Sequence, residues 1–463
     1  MINNLINVKI HFIGIGGIGM SGIAELMHDL GYLVQGSDLQ YNENIKRLEK
    51  KGITIYIGHK FQNVLNIQAV VFSSAIKFNN PEIIYSKKNK IPLISRADML
   101  GELMKNKKSI AVAGSHGKTT TTSLIGTILD NAGLDPTIVN GGIINSYSKN
   151  NRYGRGKWMV AEADESDGSF LRLPHELSVI TNLDLEHLDY YKSKQNLINS
   201  FEKFILNLPF YGKSIVCYDD VNLKFLIKKI KTRKIITYSI RNNKADIFID
   251  QISVKNKFTN FRLNINEKLF NSKRKINFAI NAFGNHNVLN GTASIIIALL
   301  LGVKIISIKK SLLNYIGVKR RFTFIGKINS SIIYDDYAHH PTEIKATLSS
   351  AKKIGKNIII VFQPHRFSRT KLLMNEFIKV LSKVKKLYII KTYSAGEKKI
   401  KGATGKDLAN NISKIQKNVV YLENEKKLYE YLIKDTQKRS VLIFMGAGSI
   451  TKIAYKVVNK NNE

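Results

Sequence analysis

Cysteine is all but missing from this chain: its 463 residues include one, Cys217, within the apolar run SIVCYDD. A lone cysteine forms no internal disulfide and has no companions for a thiolate metal site. A reducing compartment suits such a protein, and Cys217 reads as a core residue. Long hydrophobic runs are missing too. No stretch approaches the roughly 20 uninterrupted apolar residues of a membrane span, and the first residues lack a basic segment followed by a clean apolar one. These absences predict no membrane insertion and a soluble, unexported, cytoplasmic protein. Acidic residues are scarce, 35 Asp and Glu against 72 Lys and Arg, for a formal charge of +37. Such a balance ordinarily suggests a polyanionic partner. Here the lysines are spread over every segment, as in KKNK 87–90, KNKK 105–108 and KKIK 228–231, with Ile and Asn equally abundant around them. That even spread fits a compositional bias better than a binding face. With no nucleic-acid module and no aromatic-basic stacking pattern, no specific nucleic acid is expected.

What is present is a series of α/β units. The length exceeds what one core organises, and 44% apolar residues suffice to give each of two to four domains its own. Apolar runs alternate with helix-period segments, which predicts parallel sheets. Strand candidates are Val8 to Ile13, Ser109 to Ala113, Trp158 to Glu162, Ser178 to Thr181, Ser331 to Tyr334, Asn357 to Phe362, Leu387 to Lys391 and Val441 to Met445. Breaks at MKNKKS 104–109 and YIGVKRRFTF 315–324 suggest domains over residues 1–106, 107–318 and 319–463. The polar and apolar alternation from Lys234 to Phe278 reads as a small antiparallel patch on the central domain. There is no tandem repeat and no low-complexity tail beyond NKNNE.

Several strands lead straight into glycine or polar turns, the arrangement that puts ligands at the carboxyl ends of strands. In HFIGIGGIGMSG, Gly14, Gly16 and Gly19 form G-x-G-x-x-G after the first strand, with Asp38 in QGSDL near the end of the second. Taken alone this is a dinucleotide signature, so a nicotinamide-dependent oxidoreductase is one candidate reading. A stronger signal is SIAVAGSHGKTTTTSLIGTIL, 109–129. Gly114 and Gly117 let the backbone curl, Lys118 can reach terminal phosphates, and the Thr119 hydroxyl can ligate Mg2+ at the start of a helix. The spacing departs from G-x-x-x-x-G-K-[ST], since position 112 is Val, yet Gly-Lys-Thr-Thr at a strand-helix junction favours a nucleotide triphosphate over an ordinary turn. A simple dehydrogenase would not need it.

Acids cluster in MVAEADESDGSF, where Glu162, Asp164, Glu165 and Asp167 leave a strand. In so basic a chain this favours a hard cation, with Glu162 as its ligand, over a solvated turn. His187 follows another strand in TNLDLEHLDYY; a lone histidine is more often structural, and only its neighbourhood among these loops raises it. The third region offers YDDYAHHPTEI, with Asp335, Asp336, His339 and His340, and FQPHRFSRTK, with His365, Arg366 and Arg369. Two arginines in one turn can clamp a carboxylate or phosphate. Each alone reads equally well as a capped, solvated loop.

The ordered set HFIGIGGIGMSGIAE, GSHGKTTTTS, AEADESDGSF, GNHNVLN, KRRF, DDYAHHPTE and FQPHRFSRT, from about residue 8 to 455, closely resembles the ATP-dependent Mur ligases, in their alanine-adding branch. The resemblance implies an α/β protein of three domains: an N-terminal Rossmann-like unit for a UDP-sugar, a central P-loop ATPase-type unit, and a C-terminal Rossmann-like unit for the amino acid. It implies joining of L-alanine to UDP-N-acetylmuramate at the expense of ATP, through an acyl phosphate, with Mg2+ as cofactor, in peptidoglycan precursor synthesis. It places the ATP at Gly114, Ser115, His116, Gly117, Lys118, Thr119 and Thr120, with Asn287 and Asn290 on the adenine side and Asp336 on the ribose. Lys118, Glu162, His187 and Arg321 take catalytic roles, and Thr119, Glu162 and His187 face the metal. Gly14, Gly16, Gly17 and Gly19 hold the UDP-sugar diphosphate, with Asp38, His59 and Ser74 toward the uridine. His340, His365, Arg366 and Arg369 receive the amino acid. Relatives often carry Thr at position 115 and Asp-His where Glu186-His187 stands; both changes keep the functional group. Some sister ligases use a carbamylated lysine where Phe201 falls here, so that modification is not expected. A monomer or homodimer is expected.

Three rivals remain at this point. The muropeptide-recycling relative couples a tripeptide to the same UDP-sugar, and FQPHRFSRT argues for the alanine-adding branch. The oxidoreductase and the basic nucleic-acid binder are the others. Lys118→Ala is expected to abolish phosphoryl transfer and to leave the fold intact, as loss of a loop charge.

Overall fold

Runs such as IIIVF 358–362 and VLIFM 441–445 carry no polar alternation, the pattern of strands covered on both faces. The computed structural model, which describes residues 8–73, 75–255, 258–270, 274–436 and 439–462, bears this out. Ile358, Ile360 and Phe362 join Val441, Ile443 and Met445 in one core, beneath the helices Pro341–Ile354 and Gly405–Ser413. The intervening Ile359, Val361, Leu442 and Phe444 join the core beneath Ile450–Asn462 on the opposite face. Side chains alternate across a strand, so consecutive apolar residues feed two cores at once. The six-stranded sheet runs in the order 323–328, 331–336, 441–445, 358–362, 386–390, 419–422. Its first pair is antiparallel and the remaining pairs are parallel.

The described residues fall into two compact units. One is drawn from Met1–Ser253, Asn260–Asn281 and Asn287–Ile316, the other from Gly317–Glu463 with Val254–Thr259 and Ala282–His286. The first contains two sheets. Five strands in the order 54–57, 33–38, 9–13, 69–72, 93–95 form an all-parallel sheet. Its order reverses beside Lys9–Ile13, so the loop after that strand opens at the switch point where α/β sheets bind ligands. The second sheet has ten strands, with Lys108–Ala113 between Leu177–Ile180 and Trp158–Glu162. The fold is thus α/β with three sheets.

The strand expectations hold to within a residue or two at each end. The expected small antiparallel patch over Lys234 to Phe278 is corrected at its first strand and in its extent. Lys234–Ser239 pairs parallel with Lys213–Cys217 and with the start of Ile247–Lys255, and Phe258–Ile265 and Arg274–Ile280 continue the same ten-stranded sheet. The alternation there comes from an edge with one covered face, as in the buried-intermediate repeat of Phe258–Ile265. Cys217 lies in the core, and burial pushes its thiol up to about 12. Phe201 is fully buried, its ring 5.3 Å from that of Phe170. Among the described residues, no helix is long and apolar enough to cross a membrane.

Candidate active site

The loop after Lys108–Ala113 is fastened to the neighbouring strand end. Ser115 N–H donates to the Asn182 carbonyl at 3.2 Å, His116 N–H to Asn182 Oδ1 at 2.8 Å, and Thr181 Oγ1 to the His116 carbonyl at 2.6 Å. Asp184 N–H donates to Ser115 Oγ at 2.8 Å, and His116 Nε2 lies 2.9 Å from Asp184 Oδ2. Gly114 sits at φ +123° and Gly117 at φ +84°, conformations that side chains rarely adopt. A Cβ on Gly117 would fall 2.7 Å from Asn290 Oδ1, so this glycine is what lets Asn290 approach. Asn290 Nδ2 in turn donates to Asn287 Oδ1 at 3.3 Å. The asparagine pair of GNHNVLN therefore stands at the loop, distant though it is in sequence. Gly117 caps the helix Lys118–Asn131 without a side-chain bond, leaving N–H groups of that first turn for a ligand. Thr119 is buried in the turn and Thr120 half-buried beside it.

The acids converge on the same turn. Glu162 Oε1 accepts from Thr119 Oγ1 at 3.1 Å and Oε2 from Gly141 N–H at 2.7 Å. A Cβ on Gly141 would lie 2.6 Å from that oxygen, so the hairpin glycine makes room for the carboxylate. Lys118 Nζ lies 2.8 Å from Glu165 Oε2. Burial alone would depress the Lys118 ammonium, but Glu165, Asp164 and Glu162 together outweigh it and hold the group charged. Burial likewise raises the Glu165 carboxyl, against the pull of Lys118. Asp164 is held below its usual range, because Lys118 and the Ser166 hydrogen bonds outweigh its burial. His187, at φ +57°, lies with Glu165 and Glu186 so that one ligand atom from each falls within 4.8 Å of the others. The carboxylates of Glu162, Glu165 and Glu186 and the Thr119 hydroxyl are hard oxygen donors of the kind Mg2+ takes, and His187 stands beside Glu165 and Glu186.

At the first glycine loop, Gly14 has φ +79°, and Gly17 caps the helix Ile18–Asp29, again with no side-chain bond. Asp38 Oδ2 accepts from Gly16 N–H at 2.8 Å and Oδ1 from Gln40 N–H at 3.3 Å. Its carboxylate is thus engaged in holding the loop itself. His59 belongs to a buried polar network: its Nδ1 lies 3.0 Å from Ser37 Oγ and 3.1 Å from Glu82 Oε2. Ser74 lies outside the described residues. Sequence reasoning passed over Arg96. The space beside Gly19 is filled by its side chain, with Nη1 3.5 Å from where a Cβ would stand. It also lines a cavity of about 380 Å³ with Phe72, Ile76, Phe78, Asp167 and Arg172. Gly141, Asn182 and Glu165's pairing were likewise unforeseen. Of these only the acid run EADES carried a local signal.

In the C-terminal unit, Asp336 is buried, accepting from Ala338 N–H at 2.6 Å and Thr347 Oγ1 at 3.2 Å. Its carboxylate thus accepts from two protein donors. Burial pushes it up to about 7. The folded state then binds more protons than the unfolded chain between about pH 4 and 7, so this group's share of stability falls as pH rises through that window. Asp336→Asn keeps an acceptor for Ala338 and is expected to flatten the fall in thermal midpoint between pH 5 and 8, a contribution on the order of 3 kcal/mol. Melting curves across that range check it. Arg320 is tied to the last glycine turn through the Gly446 and Gly448 carbonyls, at 2.6 and 3.2 Å. Arg321 sits over the Tyr337 ring and 3.3 Å from Glu343. His340 caps the helix Pro341–Ile354 in a capping box with Glu343. Arg369 Nη1 lies 3.3 Å from His365 Nδ1, and Arg366 caps the helix Phe367–Leu372 at φ +69° with its side chain exposed. Burial, then His339, Arg369 and Arg366, pull His365 down to about 3, so its ring is neutral near pH 7. FQPHRFSRT thus brings an imidazole and a guanidinium together.

Family profiles match along nearly the whole chain: "Mur ligase family, catalytic domain" over residues 9–108, "Mur ligase middle domain" over 112–298, and "Mur ligase, glutamate ligase domain" over 320–448. Among curated proteins, the UDP-N-acetylmuramate--L-alanine ligase of Rickettsia bellii is 46% identical over 97% of this chain and 96% of its own. That of Rickettsia felis is 46% identical over 96% and 95%. Among solved structures, the UDP-N-acetylmuramate-alanine ligase of Thermotoga maritima superposes with a TM-score of 0.83 at 28% identity, covering 98% of this chain and 99% of that one. A murein peptide ligase from Psychrobacter arcticus shares the fold, with a TM-score of 0.72 at 23% identity over 99% of both chains.

Proposed function

The chain belongs to the Mur ligase family, and we propose that it joins L-alanine to the carboxylate of UDP-N-acetylmuramate while converting ATP to ADP and phosphate. The observation that carries this is the junction at Gly114–Thr119, where a lysine, two glycines and a helix start meet the Glu162 carboxylate and the Asn287–Asn290 pair. An oxidoreductase has no use for such a junction. Near-full-length identity to alanine ligases favours alanine over the tripeptide of the recycling relative.

A carboxylate is a poor electrophile. Its oxygen attacks the γ-phosphorus in line and ADP departs, leaving an acyl phosphate. The alanine amine, as the free base, then attacks the carbonyl carbon; the tetrahedral intermediate collapses, phosphate leaves, and the amine's surplus proton passes to solvent. Positioning and charge neutralisation supply most of the rate. In this reading the loop N–H groups of Gly114 to Thr120 cradle the phosphates and Lys118 steadies the transferred group. Asn287 and Asn290 meet the adenine, Arg321 and Asp336 serve the nucleotide from the C-terminal unit, and His340, His365, Arg366 and Arg369 hold the amino acid. Gly14, Gly16, Gly17 and Gly19 with Asp38, His59 and Ser74 take the UDP-sugar. Thr119, Glu162 and His187 would hold Mg2+, which when bound neutralises phosphate charge. We assign the three tasks to residues 1–106, 107–318 and 319–463. The protein is read as cytoplasmic, a monomer or homodimer, without a specific nucleic-acid partner.

The test is ADP formation with UDP-N-acetylmuramate and ATP, comparing L-alanine with L-alanyl-γ-D-glutamyl-diaminopimelate. Saturable turnover with L-alanine is expected. Saturable turnover with the tripeptide alone would overturn the choice.

A further inference from the structure

Lys118 is fully engaged by the protein's own groups. An ammonium has three donors, and here they meet the Gly114 carbonyl at 2.7 Å, the Ser115 carbonyl at 3.3 Å and the Glu165 carboxylate at 2.8 and 3.1 Å. The pair is secluded, with the Lys118 side chain 12% exposed and that of Glu165 1%. Charge-assisted hydrogen bonds in such surroundings are strong. A terminal phosphate can take this lysine only by displacing one of these partners, and Glu165 is the one that carries a competing negative charge. Once displaced, a buried carboxylate needs another cation. A place to bind one lies beside it, since its carboxylate is within 4.8 Å of ligand atoms of Glu186 and His187.

We propose that Glu165 is a positioning residue that pairs with Lys118 and exchanges it for the divalent cation that accompanies ATP. This rests on the ATP-site reading above and gives it a regulatory consequence: nucleotide without metal is refused, because Lys118 cannot leave Glu165 until a second cation is available. The backbone keeps Glu165 in register for both partners, since its carbonyl accepts from the buried Tyr191 hydroxyl at the end of the short helix Leu188–Tyr191, which follows His187.

The experiment is calorimetric measurement of the ATP dissociation constant, with EDTA and with excess Mg2+, on the full chain and four variants. Wild type is expected to bind ATP far more weakly in EDTA. Glu165→Gln is expected to bind ATP in EDTA about tenfold more tightly than wild type, and its gain on adding Mg2+ is expected to shrink by a similar factor. Asp164→Asn removes an equal charge next door without a hydrogen bond to Lys118, and is expected to show less than a third of that tightening. Glu165→Asp keeps the charge but shortens the reach, and is expected to tighten metal-free binding by a smaller factor; it serves as the test if Glu165→Gln does not fold. Metal-free affinity no tighter than wild type in either Glu165 variant, or equal tightening in Asp164→Asn, would overturn the exchange. Lys118→Ala should lose binding under both conditions. Absence of ATP binding in the wild type itself would instead contradict the ATP-site reading.

Discussion

Lys118→Ala is expected to lower phosphate release by at least about a thousandfold, as loss of a group that neutralises a transferring phosphoryl does. The structure adds a second effect. Lys118 is part of a buried ion pair, so the view of it as an expendable loop charge is corrected. Alanine leaves the Glu165 carboxylate buried and without its cation, which costs about 3–5 kcal/mol in such pairs. The Glu165 carboxyl is already raised by burial, and losing Lys118 raises it further. A raised acid stabilises the fold below its unfolded value and ceases to do so as pH rises through the folded one. The thermal midpoint of Lys118→Ala should therefore fall as pH rises from 5 to 8 more steeply than that of wild type. Adding Glu165→Gln should restore most of the stability and none of the activity. Melting curves and a phosphate-release assay on the same preparations check both parts. An unaltered midpoint at pH 8 would contradict the buried pair.

Gly114→Val is expected to be nearly as damaging to turnover, by strain at the same loop. The glycine sits at φ +123°, and a Cβ there would stand 2.2 Å from Thr181 Oγ1, 2.9 Å from the Asn182 carbonyl oxygen and 3.0 Å from Thr181 N. Two of these are backbone atoms of the strand end that fastens the loop, so neither can swing aside. The loop must move instead, breaking the Ser115 and His116 hydrogen bonds to Asn182. We expect a loss of at least about a hundredfold in kcat/KM for ATP, as when donors aimed at a phosphate shift by an ångström. A cost of about 2–4 kcal/mol in stability comes from backbone strain and overpacking. Steady-state kinetics with ATP varied, beside a denaturant melt, measure the two. Gly117→Ala offers a gentler comparison, since its nearest neighbour is the movable end of Asn290.

How far the sequence could be read depended on the kind of interaction involved. Strands such as Trp158–Glu162 and Val441–Met445 were legible to the residue, because a run of apolar residues bounded by turns is a local signal. The phosphate loop was legible for the same reason. The ten-stranded sheet was not, since alternation in Phe258–Ile265 says that one face is covered and nothing about which strand lies beside it. Long-range pairings were hidden too. Lys118 and Glu165 are 47 positions apart, and Gly141 and Glu162 are 21 apart. Asp38 was placed toward the uridine from its position at the second strand end, and nothing in the sequence signalled that its oxygens accept from the backbone of Gly16 and Gln40. Asp336 shows the same limit: residue type and position suggested a ligand contact, while its orientation toward Ala338 and Thr347 emerged only from the packed unit.

The most direct test of the chemistry is the fate of oxygen. UDP-N-acetylmuramate labelled with 18O in its lactyl carboxylate should, on turnover with ATP and L-alanine, deliver one labelled oxygen to each phosphate released, because the carboxylate oxygen that attacks the γ-phosphorus departs with it. Mass spectrometry of the phosphate reads this without ambiguity. Phosphate free of label, formed at the same rate as ADP, would mean that water and not the carboxylate attacks, and would contradict the acyl-phosphate account.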